Sequence, residues 1–312
     1  MLYANISELK SSKIVLGTDY YGQTVSKHDA FRLLDTYTES GGNHIDTARI
    51  YGDGESESVI GEWLSGRARE SVIIATKGAH PNKNTMDIPR LSLREIESDL
   101  DESLRRLRTD YIDLYWLHRD SEKVSAEEIT ESLNTLVKKG KIRYFGASNW
   151  KAKRIEEANE YAKRNGLFGF CASQIKFSPA ITAPSFVEDP TLVTMDTAEY
   201  EFYKSTKMPV MAFAPQAKGF FSKLLTGGEA ALSSKARERY FCEENLRRFD
   251  ALKAIAAEHG APIAAVVCAA LCSITDFGVF PIIGGKNPEQ IKESLYGGSL
   301  ALSEFELRQI FG

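Results

Sequence analysis

Cysteine is scarce in this chain of 312 residues, and the four cysteines are not spaced like a disulfide framework or a complete metal site. Cys268 and Cys272 are one helical turn apart, as in half of a zinc site, but no matching pair of His or Cys follows them. Cys171 and Cys242 lie in apolar or mixed segments. The sequence therefore indicates core thiols in a reducing compartment, and we expect a cytoplasmic protein without a bound metal.

Long hydrophobic runs and an excess of charge are also missing. The longest apolar stretch, Ala261–Ile274, is too short to cross a bilayer and is typical of a buried helix. Met1–Lys10 contains Glu8 and has no apolar centre, so it does not resemble a secretory signal. The 39 basic and 43 acidic residues give a net charge of -4, which provides no electrostatic surface for nucleic acid. We therefore expect neither a membrane nor a nucleic acid as partner, and the oligomeric state stays open.

The chain instead alternates short apolar segments with amphipathic helical patterns, which is typical of a parallel sheet built from βαβ units. The eight predicted strands are Ile14–Leu16, Ile45–Asp46, Val72–Thr76, Tyr111–Leu117, Ile142–Ala147, Phe170–Ser173, Pro209–Phe213 and Val279–Ile283. Eight strands are enough to close a barrel, and no linker or change of composition marks a second domain. The sequence predicts an α/β fold in which residues 1–312 form a single (β/α)8 TIM barrel.

Two of the predicted helices begin with clear capping signals. Ser92 and Glu95 have the spacing of a capping box, and an apolar residue recurs at helical intervals after them. Ser125 and Glu128 begin the next helix in the same way, and Gly140 is expected to end it. Both helices precede a predicted strand, as a (β/α)8 barrel requires.

Long connections follow the sixth and seventh predicted strands, at Phe177–Pro209 and Ala214–Val279. Long loops after barrel strands lie over the mouth of the barrel, where they shape a pocket or hold a ligand. Within them, we expect Phe177–Glu188 and Lys218–Gly228 to contact a ligand and Lys235–Glu258 to be a helical packing insert.

Four residues that can move a proton follow successive predicted strands: Asp46, Tyr51, Lys77 and His118. A parallel barrel gathers the carboxyl ends of its strands on one face, so these side chains are expected to meet. A phenol is a poor acid at neutral pH, but a nearby ammonium lowers its pKa. Taken singly, the four could be a helix cap, a packed tyrosine, a surface lysine and a core histidine. Together they favour a site that adds a proton to an oxygen whose carbon receives hydride.

Several motifs around these residues occur in a characteristic order. They are Asp46-Thr47-Ala48 followed by Tyr51-Gly52, then Ala75-Thr76-Lys77, Leu117-His118 and Gly146-Ala147-Ser148-Asn149-Trp150. The set resembles the signature of the aldo-keto reductase family, and the resemblance extends from Leu16-Gly17-Thr18 to Pro288-Glu289-Gln290. It implies an enzyme that reduces an aldehyde or ketone with a nicotinamide dinucleotide. It also implies cofactor binding without a G-x-G-x-x-G fingerprint, and the sequence contains no convincing one.

The resemblance assigns roles around the reacting atoms. Tyr51 would donate the proton, tuned by Lys77 and Asp46, and His118 would orient the carbonyl. Three residues would bind the nicotinamide carboxamide, and they are Ser148, Asn149 and Gln174. Phe177 stands where the family usually has a tyrosine that stacks on the nicotinamide, and it keeps the stacking surface.

The remaining cofactor contacts implied by the resemblance are Gly17, Thr18, Asp46, Ala214, Gln216, Lys218, Gly284, Lys286, Gln290 and Glu293. Two of them depart from the family pattern. Ala214 lacks the hydroxyl usual near the pyrophosphate, and Gln290 replaces an arginine expected near the adenosine 2′-phosphate. Lys286 is the one cation left in the last loop, so the sequence favours NADP(H), with NAD(H) as the alternative.

The substrate pocket is the least defined part of the site. Besides Tyr51 and His118, the candidate lining residues are Tyr20, His80 and Trp150, which could equally belong to the core. Two other functions fit some of the same residues. One is a regulatory or redox-sensing subunit that binds the cofactor with negligible turnover, and the other is an isomerase or lyase that uses Lys77 as a nucleophile.

Overall fold

A computed structural model describes the whole chain, Met1–Gly312. Two antiparallel strands come first, β1 (Tyr3–Ile6) and β2 (Leu9–Ser12). The parallel strands that follow are β3 (Val15–Gly17), β4 (His44–Asp46), β5 (Ile73–Gly78), β6 (Ile112–Leu117), β7 (Ile142–Ser148), β8 (Ser173–Lys176), β9 (Val210–Phe213) and β10 (Val279–Ile283). They form a closed barrel because β10 pairs with both β9 and β3. The predicted (β/α)8 fold is confirmed.

Helices connect the barrel strands and cover the outside of the barrel. They are α1 (Lys27–Glu39), α2 (Glu55–Leu64), α3 (Leu93–Leu107), α4 (Ala126–Lys138), α5 (Ala152–Arg164), α6 (Thr197–Thr206), α7 (Phe220–Gly227), α8 (Ser234–Tyr240), α9 (Glu243–Glu258), α10 (Ile263–Cys272), α11 (Pro288–Tyr296) and α12 (Glu304–Phe311). The predicted capping box of Ser92 and Glu95 begins α3. Ser125 accepts a hydrogen bond from the backbone N–H of Glu128 at the start of α4. Gly140, with φ 72°, follows the end of α4 as predicted.

Most of the predicted strands differ from the observed ones by one or two residues at an end, and the sixth differs more. The sixth strand begins at Ser173 rather than Phe170, because the Asn159 side chain bonds both backbone groups of Phe170 and holds it as a loop. The segment Lys235–Glu258, predicted as a helical insert, contains two helices, α8 and α9. Asn245 causes the break by donating to the carbonyl oxygen of Tyr240. In both places a side-chain amide takes over a backbone hydrogen bond.

The apolar helix α10 is buried in the protein, as its sequence predicted. Its residues from Ile263 to Leu271 are all buried. No helix by itself has the length and hydropathy needed to cross a membrane, and α9 and α10 have them only jointly, across a bend of 101°. Burial raises the pKa of the Cys272 thiol to about 12. No group of three or more His, Cys, Asp or Glu side chains has the arrangement of a metal site.

The β1–β2 hairpin closes the end of the barrel at which the strands begin. Ser7, with φ 50°, forms its turn, and the flanking Ile6 and Leu9 are buried. They belong to a cluster with side chains from inside the barrel, among them Trp116 and Phe280. This hairpin was not among the elements predicted from the sequence. Its consequence is that the barrel is open only at the carboxyl ends of its strands, which we call the mouth.

Candidate active site

The parallel strands bring the predicted catalytic residues to neighbouring positions at the mouth. Asp46 ends β4, Lys77 is the last residue but one of β5, and His118 follows β6 directly. The register pairs Asp46 with Ala75 and Lys77 with Trp116, so neighbouring strands present their ends at similar height. This is the face on which barrel enzymes carry their active sites.

Lys77 is the most enclosed of these residues, with 1% of its surface exposed. Its Nζ donates to Asp46 Oδ2 at 2.5 Å and to the backbone oxygen of Thr47 at 2.7 Å. Nζ also lies 5.0 Å from the centroid of the Tyr51 ring. Burial alone lowers the pKa of Lys77, but Asp46 and Tyr51 outweigh burial and raise it. Lys77 is therefore an ammonium at neutral pH, fixed beside a phenol.

Tyr51 begins a tight turn that contains two glycines in left-handed conformations. It begins the 3-10 turn Tyr51–Gly54, in which Gly52 and Gly54 have φ 59° and 101°. A Cβ at Gly54 would lie 2.2 Å from the Arg106 guanidinium carbon. These glycines let the chain reverse directly after β4, and the turn leaves Tyr51 half-buried at the mouth.

The pKa of Tyr51 depends on its burial and on the charge of Lys77. Lys77 lowers this pKa, as expected from the sequence, but burial raises it by more. The net direction is therefore upward, because the desolvation of the phenol outweighs the ammonium. Tyr51 thus keeps its proton at neutral pH. The ammonium of Lys77 stabilises the phenolate that forms when the proton leaves.

A buried carboxylate on α3 joins the loops on either side of Tyr51. Asp99 is 2% exposed and forms a salt bridge with Arg49 Nε at 3.2 Å, in the loop that carries Tyr51. Asp99 Oδ2 also accepts from the backbone N–H of Ala79 at 2.9 Å. Arg90 donates to both of its oxygens at 2.6 Å. Asp99 was not among the site residues predicted from the sequence, although an acidic residue on the buried face of α3 was a signal for it.

His118 is a neutral imidazole close to Tyr51. It is 7% exposed, and its ring centroid is 6.1 Å from that of Tyr51 and 4.9 Å from that of His80. Burial, aided by the charges of Lys77 and Arg119, holds the pKa of His118 well below its ordinary value. Its Nδ1 is buried without a partner in the protein. A neutral imidazole can donate one N–H to a carbonyl oxygen without adding a full charge.

Replacement of His118 by alanine should raise KM and lower kcat for a carbonyl substrate, because the imidazole would contact the oxygen in both the ground and transition states. Steady-state rates at saturating cofactor measure both constants. His28→Ala, at an exposed position on α1, is the matched control and should leave them unchanged. Unchanged carbonyl kinetics in His118→Ala would return this histidine to a structural role.

Ser148, Asn149 and Gln174 lie together beside Asp46. All three are buried, and the register pairs Ser148 with Gln174. Gln174 Nε2 donates to Asp46 Oδ1 at 3.0 Å, and Asn149 Nδ2 donates to Ser148 Oγ at 3.2 Å. Asn149 has φ 58°, an uncommon conformation for a residue other than glycine. Three polar side chains thus converge at the ends of β7 and β8, where an amide could bind.

The loop after β9 has an unusual backbone. Ala214, Ala217, Lys218 and Gly219 all have φ between 47° and 76°. Left-handed conformations at residues other than glycine store strain and cluster at ligand sites. Gln216 Nε2 donates to Ser294 Oγ at 2.9 Å, which fixes the loop against α11.

The loop after β10 combines open space with a well-capped helix. Gly284 is exposed, and a Cβ there would meet no atom within 4 Å. Gln290 Oε1 accepts from the backbone N–H of Lys286 at 2.8 Å, and Asn287 caps α11. The side chains of Lys286 and Glu293 are exposed. Gln290 therefore holds the backbone of this loop at Lys286.

The remaining predicted cofactor contacts lie at the end of β3 and after β8. Gly17 ends β3 and pairs with Asp46, and the hydroxyl of the next residue, Thr18, donates to the backbone oxygen of Asp46 at 3.1 Å. Phe177 is 8% exposed, with its ring centroid 6.3 Å from that of Phe311 in α12. C-terminal residues therefore pack against the predicted stacking ring.

The structure separates the three candidate pocket residues. Tyr20 is 42% exposed at the mouth, and His80 is half-buried against His118. Trp150 is fully buried, with its ring centroid 4.9 Å from that of Phe170. This placement favours the core alternative for Trp150 and leaves Tyr20 and His80 as pocket candidates.

Comparison with known proteins agrees with this arrangement. Residues 13–311 match the model of the aldo/keto reductase family. YrpG of Bacillus subtilis, named an uncharacterized oxidoreductase, is 30% identical over 325 residues, covering 99% of this chain and 94% of its own length. An aryl-alcohol dehydrogenase (NADP(+)) of Phanerodontia chrysosporium is 29% identical over 328 residues, covering 97% of this chain and 81% of its own length. The crystal structure of a thermostable aldo-keto reductase with the inhibitor epalrestat has a TM-score of 0.76 and 25% identity, covering 100% of this chain and 99% of its own.

Proposed function

Because the chain belongs to the aldo/keto reductase family, we propose that it reduces the carbonyl group of an aldehyde or ketone to an alcohol with NAD(P)H. The observation that carries the proposal is the ammonium of Lys77, held by Asp46 at 2.5 Å and placed 5.0 Å from the Tyr51 ring. A proton donor, a group that stabilises its conjugate base and a neutral hydrogen-bond donor thus surround one point at the mouth. This is the arrangement that carbonyl reduction needs.

The proposed mechanism assigns one task to each residue. The reduced nicotinamide, when bound, supplies the hydride. His118 donates a hydrogen bond to the carbonyl oxygen and fixes its direction. Tyr51 gives its proton to that oxygen as negative charge develops on it. Lys77, held by Asp46, stabilises the phenolate that remains.

The residues of the mouth suit a nicotinamide dinucleotide. The amide and hydroxyl groups of Ser148, Asn149 and Gln174 can bind a carboxamide at the ends of β7 and β8. The loop after β9 has successive residues in left-handed conformations, and we propose that this backbone contacts the pyrophosphate. We propose that Phe177 stacks on the nicotinamide ring, and that Ala214, Gln216, Lys218, Gly284, Gln290 and Glu293 contact the rest of the cofactor.

The proposed preference is for NADPH over NADH. Lys286 is exposed, forms no salt bridge and lies just before the N-terminus of α11, where an anion is favoured. The name of the Phanerodontia relative includes NADP(+), which agrees with this preference. Gln290 offers no guanidinium, so the preference depends on a single exposed cation and should be modest.

Lys286→Ala should therefore weaken NADPH binding about fivefold, equivalent to about 1 kcal/mol, and leave NADH binding unchanged. Cofactor titrations at low and high salt measure the effect, which salt should reduce. Lys292→Ala, which removes another exposed lysine of α11, is the matched control. If the wild-type protein binds both cofactors with equal affinity, and Lys286→Ala does too, Lys286 does not contact the phosphate that distinguishes NADPH from NADH.

A rate measurement tests the proposed function itself. Purified protein should consume NADPH steadily in the presence of a panel of aldehydes, as followed by absorbance. Cofactor binding without steady consumption would instead support a regulatory or redox-sensing subunit. Trapping of a Lys77 Schiff base with borohydride would support an isomerase or lyase, although the raised pKa of Lys77 opposes a neutral nucleophilic amine.

The proposed partner is a small carbonyl compound, and the proposed location is the cytoplasm. All four cysteines are free, although Cys268 and Cys272 are one turn apart in α10. Free thiols are typical of proteins that function in a reducing compartment. The net charge of -4 offers no broad basic surface for a nucleic acid.

A further inference from the structure

Arg119 is the one buried or half-buried arginine that forms no salt bridge. Eight arginines are buried or half-buried, and seven of them form a salt bridge with a carboxylate. Those seven are Arg49, Arg69, Arg90, Arg106, Arg154, Arg239 and Arg248. Arg119 is the exception, although a half-buried cation gains most from a counter-charge. An uncompensated charge in a cleft is typical of a binding site.

The guanidinium of Arg119 is held in position by neutral groups. Nη1 donates to the backbone oxygen of His118 at 2.8 Å, and Nε donates to Thr191 Oγ1 at 3.1 Å. Nη2 makes no hydrogen bond with the protein. Asp189 lies beyond salt-bridge distance, and its Oδ1 accepts from both the backbone N–H and the hydroxyl of Thr191. The group is thus oriented without being neutralised.

Arg119 lies on the side of the mouth where the substrate carbonyl is proposed to bind. It directly follows His118, and its charge lowers the pKa of both His118 and His80. It follows β6, whereas the loops proposed to hold the pyrophosphate and the adenosine follow β9 and β10. The free charge of Arg119 is therefore available to the substrate rather than to the cofactor phosphates.

The pocket beside Arg119 is formed by the loops after β5 and β6. Its other lining residues are Ala79, Pro81, Met86, Asp87, Pro89, Arg90, Leu91, Asp120 and Ser121. Arg90 and Asp120 are each held in a salt bridge, with Asp99 and Arg154 respectively. Burial lowers the pKa of His80, so neither histidine beside Arg119 adds a positive charge at neutral pH. A ligand that matches the guanidinium of Arg119 has one negative group.

We propose that Arg119 binds a carboxylate of the substrate, so that the substrates are carbonyl compounds that carry a carboxylate. A planar guanidinium with a free amino group suits a carboxylate, and the bond is charge-assisted. This assignment rests on the proposed carbonyl reduction and adds the chemical class of the substrate. It makes Arg119 a specificity-determining residue.

Matched pairs of aldehydes test the assignment. The 2-, 3- and 4-formylbenzoates are compared with their methyl esters as substrates of the full chain, with saturating NADPH. The wild-type protein should prefer at least one acid over its ester by about tenfold to a hundredfold in kcat/KM. Arg119→Gln should lose this preference, mainly through KM, while the kinetics of the esters change less than about twofold. Arg119→Lys should recover part of the preference, because it restores the charge without the planar fork.

Lys83→Gln is the control for the change in net charge. Lys83 is an exposed residue of the same mouth, already paired with Asp53 at 2.8 Å, and its loss should leave the acid preference intact. Equal loss for acids and esters in Arg119→Gln would show that Arg119 only positions His118 and would overturn the assignment. Reduction of the esters without any acid preference in the wild-type protein would overturn it as well. No reduction of either would overturn the proposed function, and the assignment with it.

Discussion

Replacement of Tyr51 by phenylalanine should lower kcat for carbonyl reduction by about 10²–10⁴-fold and leave the affinity for NADPH nearly unchanged. The substitution removes one hydroxyl, which is proposed to contact only the substrate oxygen, so its loss falls on the transition state. Initial rates and cofactor titrations measure the two effects separately. Tyr3→Phe, which removes a hydroxyl bonded to Gly41 far from the mouth, is the matched control.

The pH dependence of the wild-type protein provides a second measurement of the same role. A proton donor is active in its protonated form, so reduction should be lost as the pH rises through the pKa of Tyr51. Burial raises that pKa, which places the loss on the alkaline side of an ordinary tyrosine. This loss of rate at alkaline pH should be absent in Tyr51→Phe. More than a tenth of the wild-type kcat in that variant would show that another group donates the proton.

Lys77→Met should cause a loss of kcat of similar size, because the phenolate would form without a neighbouring ammonium. Lys77 also opposes the effect of burial on Tyr51, so its removal should raise the pKa of Tyr51 further. The loss of rate at alkaline pH should therefore occur at a higher pH than in the wild-type protein. An unchanged rate and an unchanged profile would contradict the proposed role of Lys77.

Stability must be separated from catalysis in this variant. Lys77→Met leaves the buried Asp46 without its counter-charge, and breaking a buried pair on one side costs about 3–5 kcal/mol. The double variant Asp46→Asn, Lys77→Met removes both charges and should recover part of the loss in thermal unfolding. It should not recover activity. Recovery of activity together with stability would show that Lys77 acts only by holding the fold.

The features that could be predicted from the sequence are those that depend on nearby residues or on the order of the strands. The polar residues after β4, β5 and β6 could be placed in one site because parallel strands of a barrel end on the same face. The capping boxes and the apolar helix α10 were predictable for the same reason, since each depends on neighbours within a few residues. These features need no knowledge of distant contacts.

The features that escaped prediction depend on residues far apart in the chain. Asn159 bonds the backbone of Phe170, eleven residues away, and Asn245 bonds the backbone of Ile181, 64 residues away. The β1–β2 hairpin forms because Ile6 and Leu9 fill space inside the barrel, which the hairpin sequence alone does not reveal. The net pKa of Tyr51 depends on how deeply the turn is buried. Arg119 stands out only after the partners of the other arginines are known.

The hairpin that closes one end of the barrel also bears on the order in which the proposed ligands would bind. With that end filled by Ile6 and Leu9, both ligands would have to use the mouth, and the polar groups proposed for the nicotinamide are almost fully covered. The carbonyl compound is proposed to lie outside them, beside His118 and Arg119. A bound carbonyl compound would therefore obstruct the larger ligand, so on this proposal the reduced dinucleotide would bind first. The alcohol would leave before the oxidised dinucleotide.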